Sequence, residues 1–142
     1  MFWGEYSHQL DEKGRLIIPA RYRSHLTPQA ILTRGLDRNL VIYPQDTWRD
    51  LSEHLNQMPI THPTARALRR LLFSGAVELT LDRQGRVSIP GYLRDYASLH
   101  SEVLIAGMET FLELWEPGHW RSTLNHVSES LAEAEQLLKL SL

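Results

Sequence analysis

At 142 residues, with 42% of them hydrophobic, the chain is long enough to bury a core and too apolar for disorder to be the default. The absence of cysteine excludes a disulfide scaffold, a thiolate zinc site and a cysteine nucleophile. The net charge of −2 hides an asymmetry: residues 1–101 hold 13 Lys+Arg against 10 Asp+Glu, whereas residues 102–142 hold 2 against 7. Arginine supplies 13 of the 15 cations, and its planar fork can grip a phosphate or a guanine edge with two bonds.

The opening "MFWGEYSHQLDEKGR" lacks the basic start, apolar core and small-residue cleavage site of a signal peptide. No run approaches the roughly 18 apolar residues of a membrane span. A soluble, cytoplasmic protein is expected, with no membrane association. "EYSHQL" reads as a strand and "DEKG" as a tight turn, in which Asp11 bonds its own backbone and Gly14 takes a positive φ. "RLIIP" is the return strand. Pro19 ends it and suits the first turn of a short helix, "ARYRSHL". "AILTRG" and "NLVIYP" form a second hairpin, followed by a helix that starts near Asp46.

Residues 57–72 are expected to form a linker helix, with Thr64 as its N-cap and Leu68 and Leu72 on one stripe. Arg66, Arg69 and Arg70 then fall on a solvated face. The pattern begins again with "AVELTL", the turn "DRQG" and the strand "RVSIP". The helix "GYLRDYASL", the hairpin "EVLIAG"/"FLELWE" and a helix from Pro117 complete it. Within 117–141 the apolar residues Trp120, Leu124, Val127, Leu131, Ala134 and Leu138 make a narrow seam of period 3.5 on one helix. Two readings of that seam stand: it packs on the chain's own sheet, or on a neighbouring subunit.

The recurrence is an internal repeat. A shift of 71 residues superimposes Phe2 on Phe73, Gly4 on Gly75 and Leu10 on Leu81. It also aligns Asp11 with Asp82, Gly14 with Gly85, Arg15 with Arg86, Ile18 with Ile89, Pro19 with Pro90 and Arg23 with Arg94. One further residue of slip brings Gly35 onto Gly107, Leu40 onto Leu112, Tyr43 onto Trp115, Trp48 onto Trp120 and Arg49 onto Arg121. The copies run over 2–56 and 73–121. Units this small bury little surface alone, so one intertwined, mainly β core with peripheral helices and a pseudo-twofold axis is expected, a single domain over 1–142.

No catalytic or metal pattern emerges. The seven histidines are scattered, and HExxH, Gly-x-Ser-x-Gly and P-loop signatures are missing, so neither an enzyme, a metal site nor a cofactor is expected. The repeated Asp-x-x-Gly-Arg turn has two readings. In the structural one, Asp11 and Asp82 cap turns, Gly14 and Gly85 bend them, and Arg15 and Arg86 pair with the acids or meet solvent. In the other, Arg15 and Arg86, with Lys13 and Arg83 nearby, form a twofold pair of cationic tips suited to a duplex.

"MFWGEYSHQLDEKGRLIIPARYR", "DRQGRVSIPGYLR" and "ELWEPGHW", with the tandem arrangement, closely resemble the MraZ family, bacterial proteins with two AbrB/MazE-like repeats. The resemblance implies a swapped-hairpin (double-split) β-barrel plus a C-terminal helix, and a ring-shaped homo-oligomer. It implies a nucleoid-associated transcriptional regulator that binds short direct repeats of double-stranded DNA in the promoter of the division and cell-wall gene cluster. The family's motif arginines match Arg15 and Arg86, and its motif acids match Asp11 and Asp82. Lys13 and Arg83 occupy different positions within the turns, Arg23 and Arg94 match, and Arg21 faces Tyr92, which makes the first copy the more basic. The alternative is an antitoxin-like protein-interaction module of the AbrB/MazE type without promoter specificity.

Overall fold

The structure, a computed structural model, describes residues 1–141. Its first half holds β1 (Glu5–Gln9), β2 (Arg15–Ile17), α1 (Ala20–Arg23), β3 (Ala30–Arg34), β4 (Leu40–Pro44) and α2 (Gln45–Gln57). After α3 (Pro63–Gly75) come β5 (Val77–Leu79), β6 (Arg86–Ser88), α4 (Gly91–Ala97), β7 (Glu102–Gly107), β8 (Leu112–Trp115) and α5 (Pro117–Glu129). The last element is α6 (Leu131–Ser141).

Two antiparallel assemblies carry the repeat. One is a six-stranded sheet in the order β1-β7-β8-β4-β3-β5, and the other is the two-stranded ribbon β2-β6. The first strand of each copy pairs with the second hairpin of the other: Glu5 lies opposite Ala106 on β7, and Ala30 on β3 lies opposite Leu79. A pseudo-twofold axis can be placed from register alone. At the sheet centre Val41 faces Glu113, flanked by Leu40–Leu114 and Ile42–Leu112. In the ribbon Leu16 faces Val87, flanked by Arg15–Ser88 and Ile17–Arg86. Each flanking pair maps onto the other when the copies are exchanged, which ties the repeat seen in the sequence to the pairing seen in space.

The fold is mainly antiparallel β with helices, but the sheet does not close into the expected barrel. β2 and β6 are three residues long and spend their hydrogen bonds on each other, so no ladder runs from them to the sheet edges. The ribbon instead closes the core by packing. Leu16, Ile18, Val87 and Ile89 are buried with Leu32, Leu40, Ile42, Ile105, Leu112 and Leu114 from the sheet. Alternation explains the side choice: Leu40 and Ile42 face this core while Val41 and Tyr43 face the helices. Because helices cover the outer face, the central strands are apolar on both sides.

Three helical expectations change. α3 is N-capped at His62, with Pro63 in its first turn, rather than at Thr64, because proline's fixed φ starts the helix two residues earlier. Arg69 is not on a solvated face: its Nε donates to Leu55 O at 2.8 Å and a terminal nitrogen to Met58 O, satisfying carbonyls at the end of α2. The C-terminal segment is two helices, not one. Ser130 leaves helical geometry at φ −121°, ψ 21°, which divides α5 from α6. Only the start of the seam is covered. Trp120 packs on Trp115 with a centroid distance of 5.4 Å, whereas Leu124, Val127, Leu131 and Leu138 are exposed. No helix among the described residues is long and apolar enough to cross a membrane.

Candidate nucleic-acid interface

The two motif turns are built alike. After β1, Asp11 N–H donates to Arg15 O at 3.0 Å and Gly14 N–H to Asp11 O at 3.0 Å. The Asp11 side chain then templates the turn: Oδ1 accepts from the backbone N–H of Lys13 at 2.9 Å and of Arg15 at 2.8 Å. In the second copy Asp82 Oδ1 accepts from Gln84 and Arg86 N–H, both at 2.9 Å. Gly14 and Gly85 take φ +75° and +77°, a region that L side chains enter at a cost. The donated N–H bonds, chiefly that of Arg15 to Asp11 and that of Arg86 to Asp82, hold both carboxyls below their usual pKa.

Oδ2 of each acid holds the motif arginine. Arg15 Nε lies 2.6 Å from Asp11 Oδ2, and Arg86 Nε lies 2.7 Å from Asp82 Oδ2. The two pairs adjoin, since an Arg86 terminal nitrogen comes within 3.9 Å of the same Asp11 oxygen. Grip through Nε keeps the terminal nitrogens of Arg15, the part of arginine that can bind a guanine edge or a phosphate bidentately, outside its pair with Asp11, whereas one terminal nitrogen of Arg86 is shared with that acid. These partly exposed pairs contribute little to stability. Their value lies in orientation.

The ribbon sets the two arginines on one face. Leu16 and Val87 point into the core, and by alternation Arg15, Ile17, Arg86 and Ser88 share the outer face. The copies also brace each other. Ile18 N–H donates to Gly85 O and Ile89 N–H to Gly14 O, both at 2.9 Å. Arg23 Nε donates to Ile18 O at 2.9 Å while its guanidinium lies over Gly85 of the opposite copy. Arg94 repeats this with Ile89 O at 3.0 Å and Gly14.

Of the residues singled out in the sequence, Asp11, Gly14, Arg15, Asp82, Gly85 and Arg86 therefore converge on one ribbon, and Lys13 and Arg83 are exposed on its turns. Arg21 is exposed on α1 and donates to Tyr6 Oη at 2.7 Å, while its counterpart Tyr92 donates to Gly75 O at 3.0 Å. Sequence reasoning missed Ile17 and Ser88 as members of the arginine face, although the alternation in "RLI" and "RVS" carries that signal. It also missed that Arg23 and Arg94 cross to the other copy's turn, for which the sequence holds no signal. Among the described residues, no group of three or more His, Asp or Glu is placed to hold a metal ion.

Comparison with known proteins fits this geometry. A family model described as "MraZ protein, putative antitoxin-like" matches the chain twice, over residues 1–71 and 72–141. A protein of Herpetosiphon aurantiacus is 47% identical over 129 residues, covering 91% of this chain and 90% of the relative. One of Moorella thermoacetica is 46% identical over 136 residues, covering 94% and 95%. One of Halothermothrix orenii is 47% identical over 133 residues, covering 94% and 93%. Each of the three bears the name "Transcriptional regulator MraZ". With near full-length similarity and a family match to each half, the chain belongs to the MraZ family.

Proposed function

We propose that the chain is a DNA-binding transcriptional regulator without catalytic activity, acting in the cytoplasm on the nucleoid. The observation that carries this reading is the pair of Asp-held arginines on one face of a twofold ribbon. A two-stranded ribbon fits the major groove, where the terminal nitrogens of Arg15 and Arg86 meet guanine edges or phosphates. Lys13, Arg83 and Arg21 add phosphate contacts at the flanks, and the first copy, with Arg21 in place of a tyrosine, dominates. Arg23 and Arg94 hold the turns in shape and touch the backbone of DNA at most through their free edges. The names of the relatives support regulation of transcription.

In the same reading the interleaved copies are the swapped-hairpin arrangement of the resemblance, held by packing of the ribbon on an open sheet. The chain assembles into a ring and binds short direct repeats in the promoter of the division and cell-wall gene cluster. A ring presents several identical ribbons to evenly spaced boxes, so modest contacts gain by multivalency. Binding weakens steeply with salt, because several phosphates are neutralised. The test is a gel shift on the DNA upstream of the chain's own gene with wild type and Arg15→Ala. The variant loses the shift and keeps its circular dichroism spectrum; an unchanged shift sinks the assignment. The antitoxin-like wording of the family description favours a second reading, a protein-interaction module, which co-purification with a toxin-like partner in place of DNA binding would support.

A further inference from the structure

The two copies build one ribbon but do not give it the same outer face. Arg15 stands opposite Ser88 and Arg86 opposite Ile17, so each strand contributes an arginine and, two residues on, a different side chain. Antiparallel strands rise about 3.4 Å per residue and facing side chains stand about 5 Å apart, which makes the four a compact quartet. Exchange of the copies maps arginine onto arginine but isoleucine onto serine. Ile17 is 41% exposed, and Ser88 is exposed as well.

Ser88 shows that the ribbon does not need the isoleucine. β6 has three residues like β2, with Val87 and Ile89 buried where the first copy buries Leu16 and Ile18, and it keeps its place with a hydroxyl at the outer position. Elsewhere on a surface a lone exposed isoleucine is ordinary. Here it shares a face with two arginines and stands directly across from Arg86. Its side chain has no hydrogen-bonding atom and so offers nothing to a phosphate. In the major groove the base edges present donors and acceptors, and thymine adds a C5-methyl group, the natural partner of an apolar side chain.

We propose that Ile17 is a specificity-determining residue that packs on a thymine C5-methyl in the major groove, beside the base contacted by Arg86. Ser88, its counterpart, bonds a base edge or a phosphate instead. The two halves of the ribbon then read different bases, so its target is asymmetric although its backbone is close to twofold. The inference rests on the DNA-binding reading above and deepens it by assigning one base type to one side chain.

The test uses the full chain and the DNA upstream of its own gene, with thymines replaced one at a time by uracil. The replacement removes the methyl and leaves the hydrogen-bonding atoms of the base edge in place. At one thymine in each bound box the wild type loses affinity about fourfold, the factor for one buried methyl group. With a rise of about 3.4 Å per base pair, that thymine lies within about two base pairs of the contact that Arg86→Ala removes in a footprint. Ile17→Ser, which puts the second copy's residue into the first, keeps its circular dichroism spectrum and binds the natural DNA about fourfold more weakly. It no longer distinguishes thymine from uracil at that position, while Ile17→Val still does. A wild type that binds the DNA and is indifferent to every thymine methyl overturns this proposal alone, as does an Ile17→Ser chain that still discriminates. A wild type that does not bind the DNA removes the DNA-binding reading together with it.

Discussion

The turns that present the motif arginines depend on crossed support from the other copy, and Gly85→Ala measures it. The alanine must hold φ +77°, which costs about 1–2 kcal/mol for an L residue. Its Cβ would also collide with the Arg23 guanidinium, so Arg23 moves and loses its 2.9 Å bond to Ile18 O. A hydrogen bond from a charged donor contributes about 1.5–3 kcal/mol, which brings the expected loss to about 2.5–5 kcal/mol. Gly14→Ala places its Cβ 2.9 Å from Arg94 Cζ, a milder approach, and about 1–3 kcal/mol follows from the φ cost and partial displacement. Gly91→Ala is the control: its Cβ meets Arg94 only at an ordinary 3.5 Å at the start of α4, so a gain of about 0.4–1 kcal/mol is expected. Urea unfolding with circular dichroism ranks the three against a total stability of about 5–15 kcal/mol. A Gly85→Ala loss no greater than that of Gly14→Ala, or a destabilised Gly91→Ala, refutes the crossed-arginine account.

Three further outcomes are expected. Asp11 and Asp82 have pKa values lowered in the folded state, so the stability they contribute is fully present above their ordinary 3.8 and is lost as pH falls through the lowered values. Asp11→Asn/Asp82→Asn therefore flattens the acid limb of a melting-temperature profile below that pH, and an unaltered limb counts against the templated turns. Burial raises the Glu113 pKa, so its contribution is present below its ordinary 4.5 and is lost as pH rises through the raised value. Glu113→Gln raises the melting temperature at pH 7 and not at pH 4; equal shifts at both would contradict this. Trp120→Ala removes the stack on Trp115 and the 3.1 Å bond from Nε1 to Glu5 Oε1, costing about 3–5 kcal/mol, while Leu124→Ala at its exposed site changes stability by less than about 0.5 kcal/mol. Comparable losses for the two would mean that the seam is packed along its whole length.

Local chemistry in the chain was enough to identify the turns and the repeat. An acid three residues before a glycine, followed by arginine and an alternating strand, specifies a bend whose side-chain bonds span only four residues, and doing so twice reveals the copies. Pro19, Pro90 and Pro117 likewise marked where strands stop and helices begin, because a fixed φ acts on its own neighbours. The proximity of the two arginine pairs is a different kind of fact. It arises from the Leu16–Val87 register, and a register between residues 71 apart is chosen by the packing of the whole core.

Tertiary structure alone decided three further matters. Whether the sheet closes depended on how short β2 and β6 are once they pair with each other. Arg69 looked solvated by its place on a helical wheel, yet it serves the end of α2, because a helix wheel shows direction and not which neighbour lies there. The 3.5-residue seam predicted one packed helix, but Ser130 divides it and its leucines, Leu124, Leu131 and Leu138, are exposed. Periodicity records that a face must be buried; only the fold, and then the assembly, determines what buries it.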